Sequence, residues 1–374
     1  MITNVRILCQ LSPDLQSTFS TLNYDFKEAL FFDIETTGLS PKTSYVFLIG
    51  LISFNSQTQN YELIQFLSEH GSEEEEKELL EAFYAFAQTR KLLIHFNGNS
   101  FDIPYLTYKF QKQHITNPLS GMDSLDIYRE LLNMPAFFRQ MPNHKQKSFE
   151  DLTQYPRKDL LSGKEMIKIY QNYAKTASHD KEELLLQHNY DDLKGMLSIF
   201  PLLNLKQLPK KELEISNIEE LEKQASDNHK SREVLLTLTS SIFIPARLSA
   251  ALSFCYITAA DHLIKIKLPL YEGTLKYYYP DYKNYYYLPL EDEAVHKSVA
   301  IYTDSEHRQK ATASNCYKKY TGIFVYAPQS SPFPLLKEDF RSKESYTFWP
   351  FMDSSPTALK CYISEILKTA ITTK

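Results

Sequence analysis

Residues 29–35 read ALFFDIE, an apolar run that ends in two acidic side chains. The aromatic and aliphatic residues predict a buried β-strand. Because residues two apart on a strand point to the same face, Asp33 and Glu35 can both reach one metal ion. The turn that follows, Thr36–Gly38, lets backbone approach a phosphate group. A lone pair of this kind is more often a strand end with solvated acids, so the metal-site prediction depends on the rest of the chain.

Apolar segments after this strand predict a sheet flanked by helices. Further strands are expected at Tyr45–Phe54, Tyr61–Leu67, Leu92–Phe96 and Ser124–Tyr128. Ser72–Thr89 has apolar residues at helical spacing, and the pattern from 148 to 199 is mostly helical. Early strands followed by alternating helix and strand predict an α/β fold.

A second acidic motif, Asn97–Pro104, follows the strand expected at 92–96. Its Asn-Gly turn leads into a helix, for which Ser100 or Asn99 is the expected N-cap. Asp102 then lies in the first helical turn, near the positive end of the helix dipole. The alternative is that Asp102 only stabilises this helix.

A third motif, HNYDD at 188–192, lies inside a late helix. His188 and Asp192 are four residues apart and therefore share one helix face. A histidine beside a metal-bound carboxylate can orient or deprotonate a water molecule. The alternative is an exposed, charged helix end. Asp191 competes with Asp192 as the metal ligand, but only Asp192 lies four residues from His188.

Together, these three elements supply four carboxylates and an imidazole. Hard divalent cations such as Mg²⁺ and Mn²⁺ prefer oxygen ligands. Two such ions, about 3.5–4 Å apart, can stabilise both the attacking and the leaving oxygen of a phosphodiester. The acids therefore predict a site for two Mg²⁺ or Mn²⁺ ions.

The segments FDIETTGL, HFNGNSFDIPYL and HNYDD resemble, in order, the three exonuclease motifs of the DEDD superfamily. Ser148–Leu152, Leu161–Glu165 and HNYDDLKGML are similar to the YprB-type branch of bacterial RNase H-like proteins. The resemblance covers residues 28–200. It implies an RNase H-like mixed sheet flanked by helices. The implied activity is 3′→5′ exonuclease action on DNA or RNA.

The same resemblance implies which residues form the site. The implied metal ligands, which are also catalytic residues, are Asp33, Glu35, Asp102 and Asp192. DEDD enzymes present either tyrosine four residues before the last aspartate or histidine five residues before it. Here His188 stands at the tyrosine spacing and Gln187 stands five residues before Asp192. His188 is the expected catalytic base.

Candidates for substrate binding lie beside the acidic motifs. Thr36 can donate to the scissile phosphate. Asn97 can contact substrate, although a turn-forming role is about as plausible. Phe101 can wedge against a terminal base, although core packing is the commoner role for such a residue. Asp126, or its neighbour Asp123, is a candidate to support a metal ligand, and His95 fits a core histidine.

Length and composition bound the architecture. A chain of 374 residues exceeds what one core usually serves, so two domains are expected. We predict a nuclease domain at 1–204, a charged linker or helix at 205–231, and a β-containing domain of unknown role at 232–374. The predicted fold class is thus α/β, with a smaller β-rich α+β region following the RNase H-like sheet.

The C-terminal region gives weaker signals. Tyr271–Tyr287 interleaves tyrosines with lysines, which suits stacking on a single strand but equally suits a sheet core. We expect this region to shape substrate access or to bind a protein partner.

Composition also excludes some classes. The net charge of −5 argues against a protein that coats nucleic acid. Residues 1–11 lack the apolar run of a signal peptide, and no apolar stretch approaches the ~18 residues of a membrane span. The four cysteines form no CxxC pair. We expect a cytoplasmic protein with no membrane contact.

The sequence therefore predicts a metal-dependent nuclease whose partner is nucleic acid, DNA or RNA, with a single-stranded 3′ end. One alternative is a structure-specific endonuclease on the same fold. The other is a non-catalytic module that binds nucleic acid or protein. Carboxylates alone do not distinguish cutting at ends from cutting at interior positions.

Overall fold

The structure, a computed structural model, describes residues 1–8, 11–224, 230–352 and 355–373. The strands up to residue 204 are β1 (Ile2–Ile7), β2 (Ala29–Thr36), β3 (Val46–Asn55), β4 (Asn60–Leu67), β5 (Leu92–His95) and β6 (Asp123–Asp126). The helices there are α1 (Pro13–Leu22), α2 (Glu73–Ala87), α3 (Asp102–Lys112), α4 (Ile127–Leu132), α5 (Pro135–Phe138), α6 (Gln146–Leu152), α7 (Gly163–Thr176) and α8 (His179–Ile199).

Strands β1 to β6 form one mixed sheet in the order β1-β4-β3-β2-β5-β6. Strand β2 pairs antiparallel with β3 and parallel with β5, so the acidic strand lies inside the sheet. The pairing of β5 with β6 is also parallel. This sheet, flanked by helices and followed by a β-rich region, confirms the predicted fold class.

Strand β2 is buried on both faces, and its alternation decides where the acids point. Leu30 and Phe32 pack into a core cluster with α2 and α3. Phe31 belongs to the cluster on the opposite face, which includes Leu193 of α8. Because side chains alternate along a strand, Asp33 and Glu35 lie on the Phe31 face, toward α8.

Some element boundaries differ from the sequence prediction. The edge strand β1 was not expected; its backbone pairs with β4 from Ile2 to Ile7 although Val5 and Ile7 are exposed. Helix α3 begins at Asp102, and its N-cap position is held by Phe101, which makes no side-chain cap. The expected strand at Ser124–Tyr128 ends at Asp126, because the Asp126 side chain caps α4 by accepting from Arg129 N.

The C-terminal region is rich in strands. They are β7 (Leu213–Gln224), β8 (Lys230–Ala251), β9 (Tyr256–Tyr278), β10 (Tyr285–Leu288), β11 (Glu293–His296), β12 (Gln309–Lys310), β13 (Tyr317–Tyr326), β14 (Leu336–Lys337) and β15 (Tyr346–Phe348). The helices are α9 (Lys297–Ala300) and α10 (Pro356–Thr372). One sheet has the order β13-β15-β14-β9-β8-β7, and a smaller one has the order β11-β10-β12.

The segment expected as a charged linker or helix, 205–231, contains strand β7. The side chains of Glu214, Glu219, Glu220 and Glu222 are exposed, and the backbone pairs antiparallel with β8 from Leu213 to Gln224. The helix or linker prediction was wrong over these residues because pairing with a long neighbouring strand, rather than the strand's own side-chain pattern, determines its conformation. Residues 225–229 of the expected linker lie outside the described residues.

One hydrophobic core crosses the expected domain boundary. The same cluster contains Phe19 and Phe200 from the first part of the chain and Ile244 and Ile363 from the second. At the boundary itself, Asn204 Nδ2 donates to Thr18 Oγ1 (3.1 Å) and to the Phe243 carbonyl of β8 (2.9 Å). The division into domains at 204 and 232 therefore stays a proposal.

The tyrosine-dense segment contributes to the C-terminal sheets. Tyr279 and Tyr285 stack with ring centroids 4.5 Å apart, and Tyr277 packs edge-on against Tyr279. These rings are half-buried against each other. Stacking on a nucleic-acid strand stays a prediction for this segment. Among the described residues, no helix is both long and apolar enough to cross a lipid bilayer.

Helix α8 approaches the sheet most closely at Gly50 of β3. A Cβ atom on Gly50 would lie 1.9 Å from Oδ1 of the fully buried Asn189. Asn189 is held there by hydrogen bonds to two other elements: its Oδ1 accepts from Gln65 Nε2 (2.9 Å), and its Nδ2 donates to Asp33 Oδ2 (2.9 Å). A side chain at residue 50 would force this network apart.

We therefore expect Gly50→Ala to lower the free energy of unfolding by about 1–3 kcal/mol, the usual cost of overpacking a core. Urea denaturation measures the change. Gly322→Ala is the matched control, because Gly322 also lies in a strand and a Cβ there meets nothing within 4 Å. Equal unfolding midpoints for the two variants would contradict the packing described here.

Candidate metal centre

Asp33 and Glu35 reach the site from the end of β2. Asp33 lies opposite Gly50 in the β2–β3 ladder, and this glycine leaves room for α8 beside the carboxylate. Glu35 lies two residues further on, just before the register shift at Glu35/Thr36. The strand pleat therefore presents both carboxylates on the α8 face, as the sequence predicts.

Asp102 enters the site because β5 is shorter than β2. The parallel β2–β5 ladder runs only as far as Phe31, which leaves the later backbone groups of β2 free on that side. The N–H of Ile34, between Asp33 and Glu35, donates to the Asp102 carboxylate. Gly98 leaves room for two side chains at this turn, since a Cβ there would lie 2.7 Å from His95 Nδ1 and 3.2 Å from Asp102 Oδ2.

Helix α8 places His188 and Asp192 beside Glu35. His188 Nε2 lies 3.2 Å from Glu35 Oε1 and 3.4 Å from Asp192 Oδ2. One ligand atom each from Glu35, His188 and Asp192 lie within 4.8 Å of one another. The helical spacing of four residues thus places the imidazole and the carboxylate on one side, beside the end of β2.

Asp191 points elsewhere and has a different role. It is 1% exposed. Its Oδ2 accepts from the backbone N–H groups of Lys158 (3.0 Å) and Asp159 (2.7 Å), and its Oδ1 accepts from the Tyr155 hydroxyl (3.0 Å). These bonds fix the segment 155–159 against α8. Of the two adjacent aspartates, the structure brings Asp192 to Glu35 and His188.

Burial and neighbouring charges raise the pKa of Asp33 and of Asp102. Desolvation, followed by the charges of Asp192, Glu35 and Asp102, raises the pKa of Asp33 well above its usual value, although the Asn189 hydrogen bond opposes this. Desolvation is also the main cause that raises the pKa of Asp102 to about 7, with charge from Glu35 adding to it. Mutual repulsion of this kind shows that the four carboxylates share one electrostatic environment.

His188 responds in the opposite sense. Burial lowers its pKa, but the hydrogen bond to Glu35 and the charges of Asp192, Glu35 and Asp159 outweigh burial and raise the pKa to about 9. Desolvation raises the pKa of Glu35, partly offset by the hydrogen bond and charge of His188. The surrounding acids thus stabilise a positive charge on the His188 imidazole.

The side chains present fit a hard divalent cation. Asp33, Glu35, Asp102 and Asp192 offer carboxylate oxygens, which are the ligands that Mg²⁺ and Mn²⁺ prefer. They arrive from three elements of the fold, and the Glu35, His188 and Asp192 ligand atoms are already within reach of a single ion. A bound cation would also relieve the repulsion among the acids.

Two charged residues of the site were missed from the sequence. Arg157 Nη2 lies 2.6 Å from Asp192 Oδ1, and Arg157 Nη1 lies 3.0 Å from both oxygens of Glu150. Asp159 Oδ2 lies 2.6 Å from His188 Nδ1. The sequence signal was a charged run, Arg157–Asp159, between two helices, which reads as an ordinary polar loop.

The expected substrate-binding residues line the neighbouring turns. Thr36 is buried, and its hydroxyl donates to the Gly38 carbonyl (3.0 Å). Asn97 holds a left-handed conformation (φ 61°) at the turn. Phe101 is half-buried, 5.4 Å from the Tyr105 ring between centroids. The turn and packing roles are thus present, and substrate contact stays a proposal.

His95 and Asp126 hold the turn that carries Asp102. The N–H of Gly98 donates to His95 Nδ1 (3.0 Å), so the ring donates from Nε2 to Ser124 Oγ (2.8 Å). Asp126 Oδ1 accepts from the N–H of Asn97 (2.9 Å). Both are buried, and they act on the backbone of the turn. This matches the core histidine expected at residue 95.

A buried ion pair supports the loop after Glu35. Lys109 Nζ lies 2.9 Å from Glu76 Oε1, and both side chains are almost fully enclosed. Glu76 also accepts from the N–H of Val46 (2.8 Å), and Lys109 donates to the Ser44 carbonyl. The loop between β2 and β3 is therefore held to α2 and α3 by charged hydrogen bonds.

Residues 30–204 match the RNase_H_2 family model of the RNase_H superfamily. Residues 30–204 form an RNase H-like domain. The RNase H-like domain therefore contains all four acids and His188. Among curated proteins, no sequence matches the chain.

Solved structures that are similar to part of this chain include those of E. coli exonuclease I. The zinc-bound complex of E. coli exonuclease I with single-stranded DNA is 12% identical, with a TM-score of 0.29 over 57% of this chain and 54% of that one. E. coli exonuclease I with a dT13 oligonucleotide is 13% identical, with a TM-score of 0.29 over 57% and 55%. The chain thus spans just over half the length of these proteins, and scores this low carry no argument about its activity.

The Lys109–Glu76 pair can be tested by stability. We expect Lys109→Met to lower the free energy of unfolding by about 3–5 kcal/mol, because it leaves the Glu76 charge buried without its cation. Lys112→Met is the control: Lys112 lies in the same helix and pairs with the partly exposed Glu73 (2.8 Å). Chemical denaturation measures both, and an equal, small loss in the two variants would contradict the buried role of Lys109.

Proposed function

We propose that the RNase H-like domain is a metal-dependent nuclease that hydrolyses phosphodiester bonds as a 3′→5′ exonuclease. The proposed substrate is DNA or RNA with a single-stranded 3′ end, and the proposed cofactor is a pair of Mg²⁺ or Mn²⁺ ions. The observation that carries the proposal is the grouping of ligand atoms from Glu35, His188 and Asp192 within 4.8 Å of one another. Asp33 lies two residues before Glu35 on the same strand face, and the Asp102 carboxylate accepts from the Ile34 N–H between them. The motif resemblance to the YprB-type branch of DEDD proteins supports it.

The residues of the chain divide the work in the proposed mechanism. Two bound divalent ions would supply Lewis-acid activation of a water molecule and charge stabilisation at the leaving oxygen. Asp33, Glu35 and Asp192 would hold one ion, and Asp33 with Asp102 would hold the other. His188 Nε2 lies between Glu35 and Asp192. Cations bound by these carboxylates would offset the negative charges that raise the His188 pKa, and the neutral imidazole would then orient the water and take its proton.

The non-catalytic alternative fits the site less well. A module that only binds nucleic acid gains affinity from positive charge near the phosphates. Here four carboxylates lie close together, and the negative charges of neighbouring acids raise the pKa of Asp33 and Asp102. Such an arrangement of carboxylates is electrostatically unfavourable without a cation, and it supplies the ligands when a cation binds.

We expect Asp33→Asn to reduce metal-dependent cleavage more than about 100-fold, because loss of a ligand should exceed the 10–100-fold effect of losing a supporting partner. End-labelled oligonucleotides incubated with Mn²⁺ measure cleavage, and thermal melting checks folding. Asp151→Asn is the control, since it removes an exposed acid of α6 near the site. Wild-type protein without cleavage, or an active Asp33→Asn variant, would sink the proposal.

Substrates with free, blocked or absent 3′ ends distinguish exonuclease from endonuclease action. A linear single strand with a free 3′ end should shorten stepwise, whereas the same strand with a 3′-terminal block, or closed into a circle, should persist. Denaturing gels of 5′-labelled strands measure this. Cutting of the circle at a comparable rate would favour the endonuclease alternative and exclude the exonuclease.

A further inference from the structure

The segment 155–161 lies beside the metal centre and is anchored to the same helix. Asp191, the neighbour of Asp192, accepts from the N–H groups of Lys158 and Asp159 and from the Tyr155 hydroxyl. The anchor lies one residue from a proposed metal ligand. The side chains of this segment therefore have a fixed position relative to the site.

Asp159 restricts the orientation of His188. Its Oδ2 is 2.6 Å from His188 Nδ1, and its Oδ1 accepts from the N–H of Leu161 (3.0 Å), so Asp159 is itself held in place. With Nδ1 committed as a donor, Nε2 is the atom left to face Glu35 and Asp192. Turning the ring over would break the Asp159 bond, and the side chains of both residues are almost fully enclosed.

Arg157 restricts the orientation of the Asp192 carboxylate. Its guanidinium lies 2.6 Å from Asp192 Oδ1, while Asp192 Oδ2 faces His188. Glu150 fixes the guanidinium from the other side, 3.0 Å from Nη1. Gly195 of α8 makes room for Glu150, because a Cβ there would lie 1.9 Å from Glu150 Oε1. A planar guanidinium can satisfy such diverging carboxylates at once.

We propose that Arg157 and Asp159 are positioning residues of the nuclease site: Asp159 fixes His188 so that Nε2 faces the attacking water, and Arg157 fixes Asp192 so that Oδ2 is its ligand atom. This inference rests on the proposed function. A purely structural role is the competing explanation, because the same buried ion pairs also contribute to folding.

A double-mutant cycle separates the two roles for Asp159. Asp159→Asn should lower kcat about 100-fold, the lower range for losing a correctly oriented base, with KM changed less than about twofold. In the His188→Asn background, which keeps a side-chain N–H for residue 159, the same substitution should cause no further loss. Single-turnover assays measure all four proteins, with Asp151→Asn as control and melting temperatures to confirm folding.

Arg157 is tested by metal binding. Arg157→Lys keeps the charge but loses the planar fork, so it should weaken Mn²⁺ binding in calorimetry about 10-fold. Lys158→Arg, the reverse change on the exposed neighbouring side chain, should leave Mn²⁺ affinity unchanged.

Two results would overturn the inference while leaving the nuclease proposal intact. One is an equal loss of kcat from Asp159→Asn in the wild-type and His188→Asn backgrounds, or no loss in either. The other is unchanged Mn²⁺ affinity in a folded Arg157→Lys variant. A wild-type protein that neither binds Mn²⁺ nor cleaves would instead overturn the nuclease proposal, and this inference with it.

Discussion

The contact between Asn189 and Gly50 decides where helix α8 lies on the sheet. Only a residue without a side chain at position 50 lets the buried amide reach both Asp33 and Gln65. His188 and Asp192 flank Asn189 on the same helix, so their distance from Asp33 and Glu35 follows from this one contact. A shift of α8 by one turn, ~5.4 Å, would separate the acids.

The site concentrates negative charge, and its carboxylates differ in the groups that compensate this charge. Asp33 accepts a hydrogen bond from Asn189, and Asp102 accepts from the backbone N–H groups of Ile34 and of Asp102 itself. Asp192 and Glu35 have cationic neighbours, Arg157 and His188. The negative charges of Asp33 and Asp102 therefore depend most on a bound cation for compensation. Those of Asp192 and Glu35 are already compensated by Arg157 and His188.

The grouping of the acids could be predicted from the sequence because the periodicity of a strand or a helix is apparent within a few residues. Asp33 and Glu35 follow from the pleat, and His188 with Asp192 from the helical repeat. Arg157 and Asp159 could not be found this way, because their position depends on Asp191, more than 30 residues away, which holds the loop. Strand β7 was missed for the same reason: its partner β8, rather than its own charged sequence, makes it a strand.

The core that joins both parts of the chain bears on how the protein is made. Ribosomes synthesise α1 and the segment Phe200–Lys210 before β8 and α10. In the folded protein, β8 packs against both of the earlier segments, and α10 packs against Phe200–Lys210. Until those later elements emerge, one face of the RNase H-like domain presents bare apolar surface. Folding of the RNase H-like domain is therefore completed only after the C-terminal strands have been synthesised, which gives the β-rich region a role in folding.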